Sequence, residues 1–196
     1  MRERSTAPSK RALRRAVRAA RDALAPETRR ERSQAACAQA SQLTRYAQAN
    51  TIGIYSPIGS ELDVSPLATD AFSRGKRVAL PRVASGSVMH FVPHALGEPL
   101  VRSRFGTLEP SPDSPAVPTS QLDLIVVPGT AFDLRGHRLG YGAGFYDRVL
   151  ADAPGVCRLG IAFEVQIVAA VPHGAHDLPM DLLVTELRVL PISQGG

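Results

Sequence analysis

The chain has no tryptophan, two cysteines and only 5% aromatic residues across 196 positions. Cys37 and Cys157 lie far apart, so the sequence is no disulfide scaffold, and both are expected to be free thiols in a reducing cytoplasm. No apolar run approaches the ~18 residues needed to span a bilayer, which excludes a membrane helix as an expectation. The N-terminus is basic but has no apolar core or cleavage site, which argues against a secretory signal. Also missing are a Gly-x-Ser-x-Gly elbow and a cysteine nucleophile motif, so a covalent hydrolase is not expected. Neither the P-loop nor the dinucleotide fingerprint occurs. What remains, 44% apolar and 21% charged, suits a single domain, residues 1–196, able to bury a substantial core, with residues 1–8 expected to be disordered.

The net charge of +5 is unevenly spread. Residues 1–32 hold 11 Lys/Arg against 4 Asp/Glu, whereas the remainder holds 12 against 14. Residues 9–25 read as a helix in which Leu13, Val17, Ala20 and Leu24 form a buried stripe, with Lys10, Arg14, Arg18 and Arg21 along another face. A basic helix could mark an RNA-binding or scaffold protein. RNA binders interleave aromatics with such stretches, however, and residues 1–45 contain none.

Pro26 opens a second helix predicted to run to about Gln48. Strand Thr51–Tyr55, a helix capped by Ser65-Pro66 and ending near Gly75, and strand Arg77–Leu80 make a β-α-β unit. Residues 88–92 read as a further strand, and residues 93–120, with six prolines, as a long loop. A strand at Leu122–Val127, a helix from Phe145 to Leu150, a strand at Arg158–Phe163, a short helix near Val165–Val171 and a strand at Asp181–Leu190 follow. The alternation predicts an α/β layered fold, a largely parallel sheet flanked by helices. Ligands in such folds sit beyond the carboxyl ends of the strands, which would bring the loops after Tyr55, Val127 and Phe163 to one edge.

The loop after Val127 concentrates glycine, arginine and aspartate up to Arg148. Gly140, Gly142 and Gly144 alternate, so the backbone can turn sharply and bring its N–H groups against a ligand before a helix begins. Arg138 adds a forked cationic donor for phosphate, and Asp147 a carboxylate suited to a divalent cation. Asp133 is expected to hold the turn before Gly136. His90 and His94 read as surface residues. His173, His176, Asp177 and Asp181 form a better cluster, and zinc there is conceivable although such a loop is more often merely solvated.

The segment P-G-T-A-F-D-L-R-G-H-R-L-G-Y-G-A-G-F-Y-D-R, ending at Arg148, closely resembles the signature of the 5-formyltetrahydrofolate cyclo-ligase family. Lys10-Arg-Ala-Leu-Arg14, Tyr55-Ser-Pro-Ile-Gly-Ser-Glu61, Leu80-Pro-Arg82, Leu108-Glu-Pro110 and His176-Asp177 also fall in that family's order. The resemblance implies ATP contacts at Lys10, Arg14, Arg138, Leu139, Gly140, Tyr141, Gly142, Ala143, Gly144, Phe145 and Tyr146. It implies folate contacts at Ser56, Glu61, Tyr141, Gly142 and Phe145, catalytic roles for Arg138 and Tyr146, and Mg²⁺ on Asp147 and Asp177. The implied reaction closes 5-formyltetrahydrofolate to 5,10-methenyltetrahydrofolate as ATP phosphorylates the formyl oxygen and N10 attacks the activated carbon. Implied partners are small molecules, reduced folate and ATP, with no nucleic acid and no membrane, and a monomer is expected. Some relatives carry Lys where this chain has Ala143, and the pair commonly Tyr-Tyr is here Phe145-Tyr146. A fold-sharing relative that binds ATP without turning over folate is the alternative; the presence of Glu61 weighs against it.

Overall fold

A computed structural model describes residues 9–84, 88–104, 106–174 and 177–192. The expectation for residues 1–8, and His176, lie outside the described residues. Helix α1 (Lys10–Asp22) starts where the Ser9 hydroxyl accepts a hydrogen bond from the Ala12 N–H at 3.2 Å. It ends three residues short of the expected Ala25, which instead precedes Pro26 at the start of α2 (Pro26–Ser41). The single helix expected to Gln48 breaks at Gln42 and Leu43, and a separate α3 (Thr44–Gln48) follows. Buried Tyr46 explains the break: the new helix direction turns its ring into the core and its hydroxyl onto Asp70 at 2.7 Å.

Strand β1 (Thr51–Gly53) leads through α4 (Ser65–Ser73) to β2 (Arg77–Val83), and the two strands pair in parallel as expected of the β-α-β unit. Ser65 is not the cap of α4 but its first residue: the N-cap is Val64, which offers no side-chain hydrogen bond, and the Asp63 carboxylate before it accepts from the Ser65 N–H at 2.9 Å. β3 (Met89–His94) returns antiparallel to β2 and includes Pro93, tolerable because β3 is an edge strand. The expected loop 93–120 holds structure: a hairpin of β4 (Val101–Arg102) and β5 (Leu108–Glu109), and a short 3-10 turn at Thr119–Gln121. Polar and proline-rich composition concealed two-residue strands there.

β6 (Leu124–Val127) enters the glycine segment, where β7 (Ala131–Asp133) and β8 (Arg138–Leu139) form a hairpin around the turn that Asp133 holds. Asp133 is fully buried and accepts from the Arg135, His137 and Val171 N–H groups, so it anchors a distant loop as well as the turn. Helix α5 (Phe145–Ala151) and β9 (Cys157–Ile161) follow. The expected helix near Val165 is a single 3-10 turn at Glu164–Gln166 passing into β10 (Ile167–Val168), which pairs with β7. The expected final strand is two: β11 (Leu182–Val184) and β12 (Val189–Pro191), folded back antiparallel.

The main sheet runs β12-β11-β9-β6-β1-β2-β3, with parallel pairing from β11 to β2 and antiparallel strands only at its edges. Strand alternation divides β6 between two cores. Leu124 and Val126 join Ala36, Ala40 and Leu67 from α2 and α4, while Ile125 and Val127 join Phe132, Val149 and Leu150. A third cluster lays Leu13 and Val17 of α1 on Ala131 and Leu139 of the small β10-β7-β8 sheet. The inward stripe of α1 continues to Arg21 and leaves Ala20 exposed. Cys37 and Cys157 are both free. His90 is exposed as expected, whereas His94 is partly covered and packs its ring edge-on to Phe72.

Candidate active site

The carboxyl ends of β1, β2 and β6 and one end of α1 surround a cleft of about 580 Å³. Lys10, Arg14, Ser56, Glu61, the run Arg138 to Asp147, and Asp177 all line it. These are all the site residues that the family resemblance implied, drawn from four separated segments. His173 does not join them: its ring stacks on His137 with centroids 3.6 Å apart, and its Nδ1 lies 3.1 Å from the Val171 carbonyl oxygen. Among the described residues no three His, Cys, Asp or Glu side chains cluster as metal ligands.

The glycine loop has the backbone that its sequence requires. Gly142 at φ 107° and Gly144 at φ 69° occupy conformations that side-chain-bearing residues rarely adopt, and Gly144 directly precedes α5. Arg14 Nε donates to the Gly140 carbonyl at 2.7 Å, tying α1 to the loop, and its Nη groups make no hydrogen bond among the described residues. Arg148 reaches back to the Ala143 carbonyl at 2.8 Å and lies over the Phe145 ring. A cation thus serves the loop from a position that the sequence did not single out. Leu139 packs its side chain into the third core, so its contribution to the cleft is confined to its backbone.

Two ion pairs cross the cleft floor. Arg138 Nη2 meets Asp147 Oδ1 at 2.5 Å, and Lys10 Nζ meets Asp177 Oδ2 at 2.9 Å. Expected phosphate-binding cations and expected metal-binding carboxylates therefore neutralise one another here. Burial pushes the Asp177 carboxyl up, but the Gly174 N–H and Lys10 outweigh it and hold the group below the usual carboxylate range. The Arg138 guanidinium sits 5.8 Å from the centre of the Tyr146 ring. Its Nε and the Tyr146 hydroxyl are buried polar atoms with no hydrogen-bond partner among the described residues, and burial raises the Tyr146 pKa far above its ordinary value.

On the opposite side Glu61 accepts from the Ile58 N–H at 2.7 Å and from the Tyr141 hydroxyl. Burial raises the Glu61 pKa against the opposing pull of these donors, and pushes the Tyr141 hydroxyl up to about 12. Ser56 Oγ accepts from the Leu108 N–H at 3.2 Å, so its lone pair is partly committed to the β4–β5 hairpin. Tyr55, Ile58, Pro81, Val83 and Met89 supply an apolar wall, and buried Glu109 accepts from Val83 N–H and the Thr107 hydroxyl beside it. Sequence reasoning missed this wall because apolar residues on strands look like core. Tyr55 and Ile58 lie in the Tyr55-to-Glu61 segment, Pro81 in Leu80-Pro-Arg82 and Glu109 in Leu108-Glu-Pro110, all of which carry the family resemblance, but none of the four was given a role of its own.

Residues 6–186 match the 5-formyltetrahydrofolate cyclo-ligase family. The chain is 34% identical over 179 residues to 5-formyltetrahydrofolate cyclo-ligase of Escherichia coli strain K12, covering 88% of this chain and 98% of that one. It is 33% identical over 144 residues to the enzyme of that name from Mycolicibacterium smegmatis, covering 70% and 74%. The fold superposes on 5,10-methenyltetrahydrofolate synthetase of Aquifex aeolicus with a TM-score of 0.84, 33% identity, and coverage of 95% and 94%. A synthetase from Mycoplasma pneumoniae, at 23% identity, shares the fold with a TM-score of 0.75, covering 91% of this chain and 99% of that one.

Proposed function

The chain belongs to the 5-formyltetrahydrofolate cyclo-ligase family, and from that premise we propose that this cleft is where ATP drives closure of 5-formyltetrahydrofolate to 5,10-methenyltetrahydrofolate. The observation that carries the assignment is one cleft with two unlike walls: a charged glycine loop suited to phosphates and an apolar wall with a buried carboxylate suited to a flat, donor-rich ring. The formyl group is an amide whose oxygen is a poor leaving group. Its attack on the γ-phosphorus of ATP, with ADP departing, makes that oxygen part of a phosphate. N10 then forms its bond to the activated carbon, phosphate leaves with the electrons of the C–O bond, and the N10 proton passes to solvent.

The protein's task is placement and charge stabilisation, as in other phosphoryl transfers. Arg138, Arg14, Lys10 and the loop amides would hold phosphate oxygens. Tyr146 stays protonated at its raised pKa, so its hydroxyl would act as a donor to the transferring group and not as a base. Glu61 would take donors of the pterin ring, with Ser56 and Phe145 beside the folate. Asp147 and Asp177 fit magnesium. Each has one oxygen in an ion pair and one without a hydrogen-bonding partner among the described residues, and this ion takes one or two carboxylates plus substrate phosphates, not a cage of protein ligands. When bound there it would neutralise phosphate charge.

No helix among the described residues is long and apolar enough to cross a membrane. A cytoplasmic monomer acting on small molecules is the proposed working state, with both cysteines free as a reducing compartment would keep them. Purified protein given 5-formyltetrahydrofolate, ATP and Mg²⁺ should generate a new near-ultraviolet absorbance, because the methenyl bridge is a conjugated amidinium, with ADP formed one for one. Neither should form without nucleotide, and 10-formyltetrahydrofolate should not substitute. ATP binding with no methenyl product by chromatography would overturn the assignment.

A further inference from the structure

Arg21 lies on α1 yet is only 3% exposed. Its Nε donates to Ser60 Oγ at 2.9 Å and its Nη1 to the Tyr141 hydroxyl at 3.1 Å, and it makes no direct ion pair among the described residues. A buried guanidinium is costly unless its charge is compensated. Compensation here is indirect, through two hydroxyls: Ser60 bonds to Asp22, and Tyr141 donates to Glu61. Tyr141 therefore carries the backbone of the glycine loop while its hydroxyl is held between a helix and the folate wall.

We propose that Arg21, Tyr141 and Glu61 form a relay that couples the nucleotide loop to the folate subsite, with Arg21 a positioning residue acting through Tyr141. The inference rests on the substrate assignment above. With the loop in the arrangement seen here, Tyr141 and the Ile58 N–H each engage one Glu61 oxygen and orient the carboxylate, leaving further lone pairs for pterin donors. A nucleotide that fixes the loop fixes the carboxylate too. By reciprocity, folate on Glu61 must tighten nucleotide binding by the same factor.

The test is the affinity for 5-formyltetrahydrofolate, by calorimetry, with and without a saturating nonhydrolysable ATP analogue and Mg²⁺. The unaltered protein should bind folate about tenfold more tightly with the analogue present, within the usual range of such couplings. Tyr141→Phe should cut that gain below about twofold with the analogue held saturating for the variant, so that any change in the analogue's own affinity does not enter the ratio. Arg21→Met should lose the gain as well, and the double variant should lose no more than Tyr141→Phe alone. Arg21→Gln keeps donors without the charge and serves if the Met variant fails to fold. Ser60→Ala, which removes the other Arg21 contact, should retain the gain. The relay is wrong if the unaltered protein binds both ligands without synergy, if Tyr141→Phe keeps the full gain, or if Ser60→Ala loses as much as Arg21→Met. Failure of the unaltered protein to bind folate at all would instead remove the substrate assignment, and the relay with it.

Discussion

The wall of the cleft proposed to hold phosphate is mostly one contiguous stretch, Arg138 to Asp147, joined by Lys10 and Arg14 of α1, whereas the opposite wall is drawn from Tyr55, Pro81, Val83, Met89 and Glu109. The first is a loop whose shape rests on glycines at positive φ and on contacts that α1 and α5 make to its carbonyls. The second is built on or beside strands of the main sheet and on the β4–β5 hairpin, with its shape set by packing. Charge is thus placed where the backbone can be re-aimed at little cost, and apolar surface where it cannot move. Variants on one wall should disturb one substrate, and the predictions below probe how far that separation holds.

The largest effect is expected from Arg138→Met. The Arg138 side chain is 6% exposed and pairs with Asp147, so its loss removes a desolvated cation from the transferring phosphate and frees a carboxylate to repel it. Turnover should fall about 10³-fold, the low end for arginines that stabilise phosphoryl transfer. Folate affinity measured without nucleotide should stay close to that of the unaltered protein. A matching loss there would mean that the two walls are one unit.

Gly142→Ala tests the same wall through backbone alone. A Cβ at Gly142 would meet nothing nearer than Arg14 Nη2 at 3.7 Å, so space is not the obstacle. The obstacle is φ 107°, and strain of about 1–3 kcal/mol corresponds to roughly 5- to 150-fold weaker ATP binding. Circular dichroism should show an intact fold. Unchanged ATP affinity in the folded variant would end the phosphate-cradle assignment.

The same difference explains what could be read from sequence. Phosphate chemistry needs glycine, arginine and aspartate close together, so the Arg138 to Asp147 wall announced itself, and the central β1-α4-β2 unit and β6 followed from apolar patterning. Three kinds of feature escaped. Strands of two or three residues, such as β7, β8 and the β4–β5 hairpin, carry too few residues for any period to show, and only their partners define them. The break after Ser41 is set by where Tyr46 finds room. Arg21 looked like one more solvated charge because its partners, Ser60 and Tyr141, are 39 and 120 residues away.

Glu61→Gln moves the comparison to the folate wall. The amide keeps the shape of the carboxylate but loses its charge and one acceptor face, so charge-assisted bonds to ring donors weaken. KM for 5-formyltetrahydrofolate should rise about tenfold, as for loss of a hydrogen bond to a charged group, whereas the affinity for a nonhydrolysable ATP analogue measured without folate should change much less. Equal effects on both would mean that Glu61 only braces its own loop through the Ile58 N–H.

The smallest expected effect is in pH dependence, and it separates the walls most finely. Burial raises the Glu61 pKa, while the Tyr141 hydroxyl, the Ile58 N–H and the charges of Arg21 and Arg18 pull it back only in part. A carboxyl whose folded pKa lies above its unfolded value costs stability when ionised, so this cost is present above the folded pKa and is relieved as pH falls through it. Folate binding runs the other way, because the protonated carboxyl no longer accepts from the ring. Asp177 is held below the usual carboxylate range and Tyr141, at about 12, stays protonated, so neither titrates in the window where Glu61 does. As pH is lowered from about 8 towards the ordinary glutamate range near 4.3, folate affinity should fall by a few-fold; the nucleotide's own terminal phosphate titrates at about 6, so a nonhydrolysable ATP analogue should show the same pH profile in the unaltered protein and in Glu61→Gln. In Glu61→Gln the folate step should vanish, and the melting temperature at neutral pH should rise slightly. If the pH profile for the analogue changes in Glu61→Gln, or the folate step survives in that variant, the separation drawn between the two walls fails.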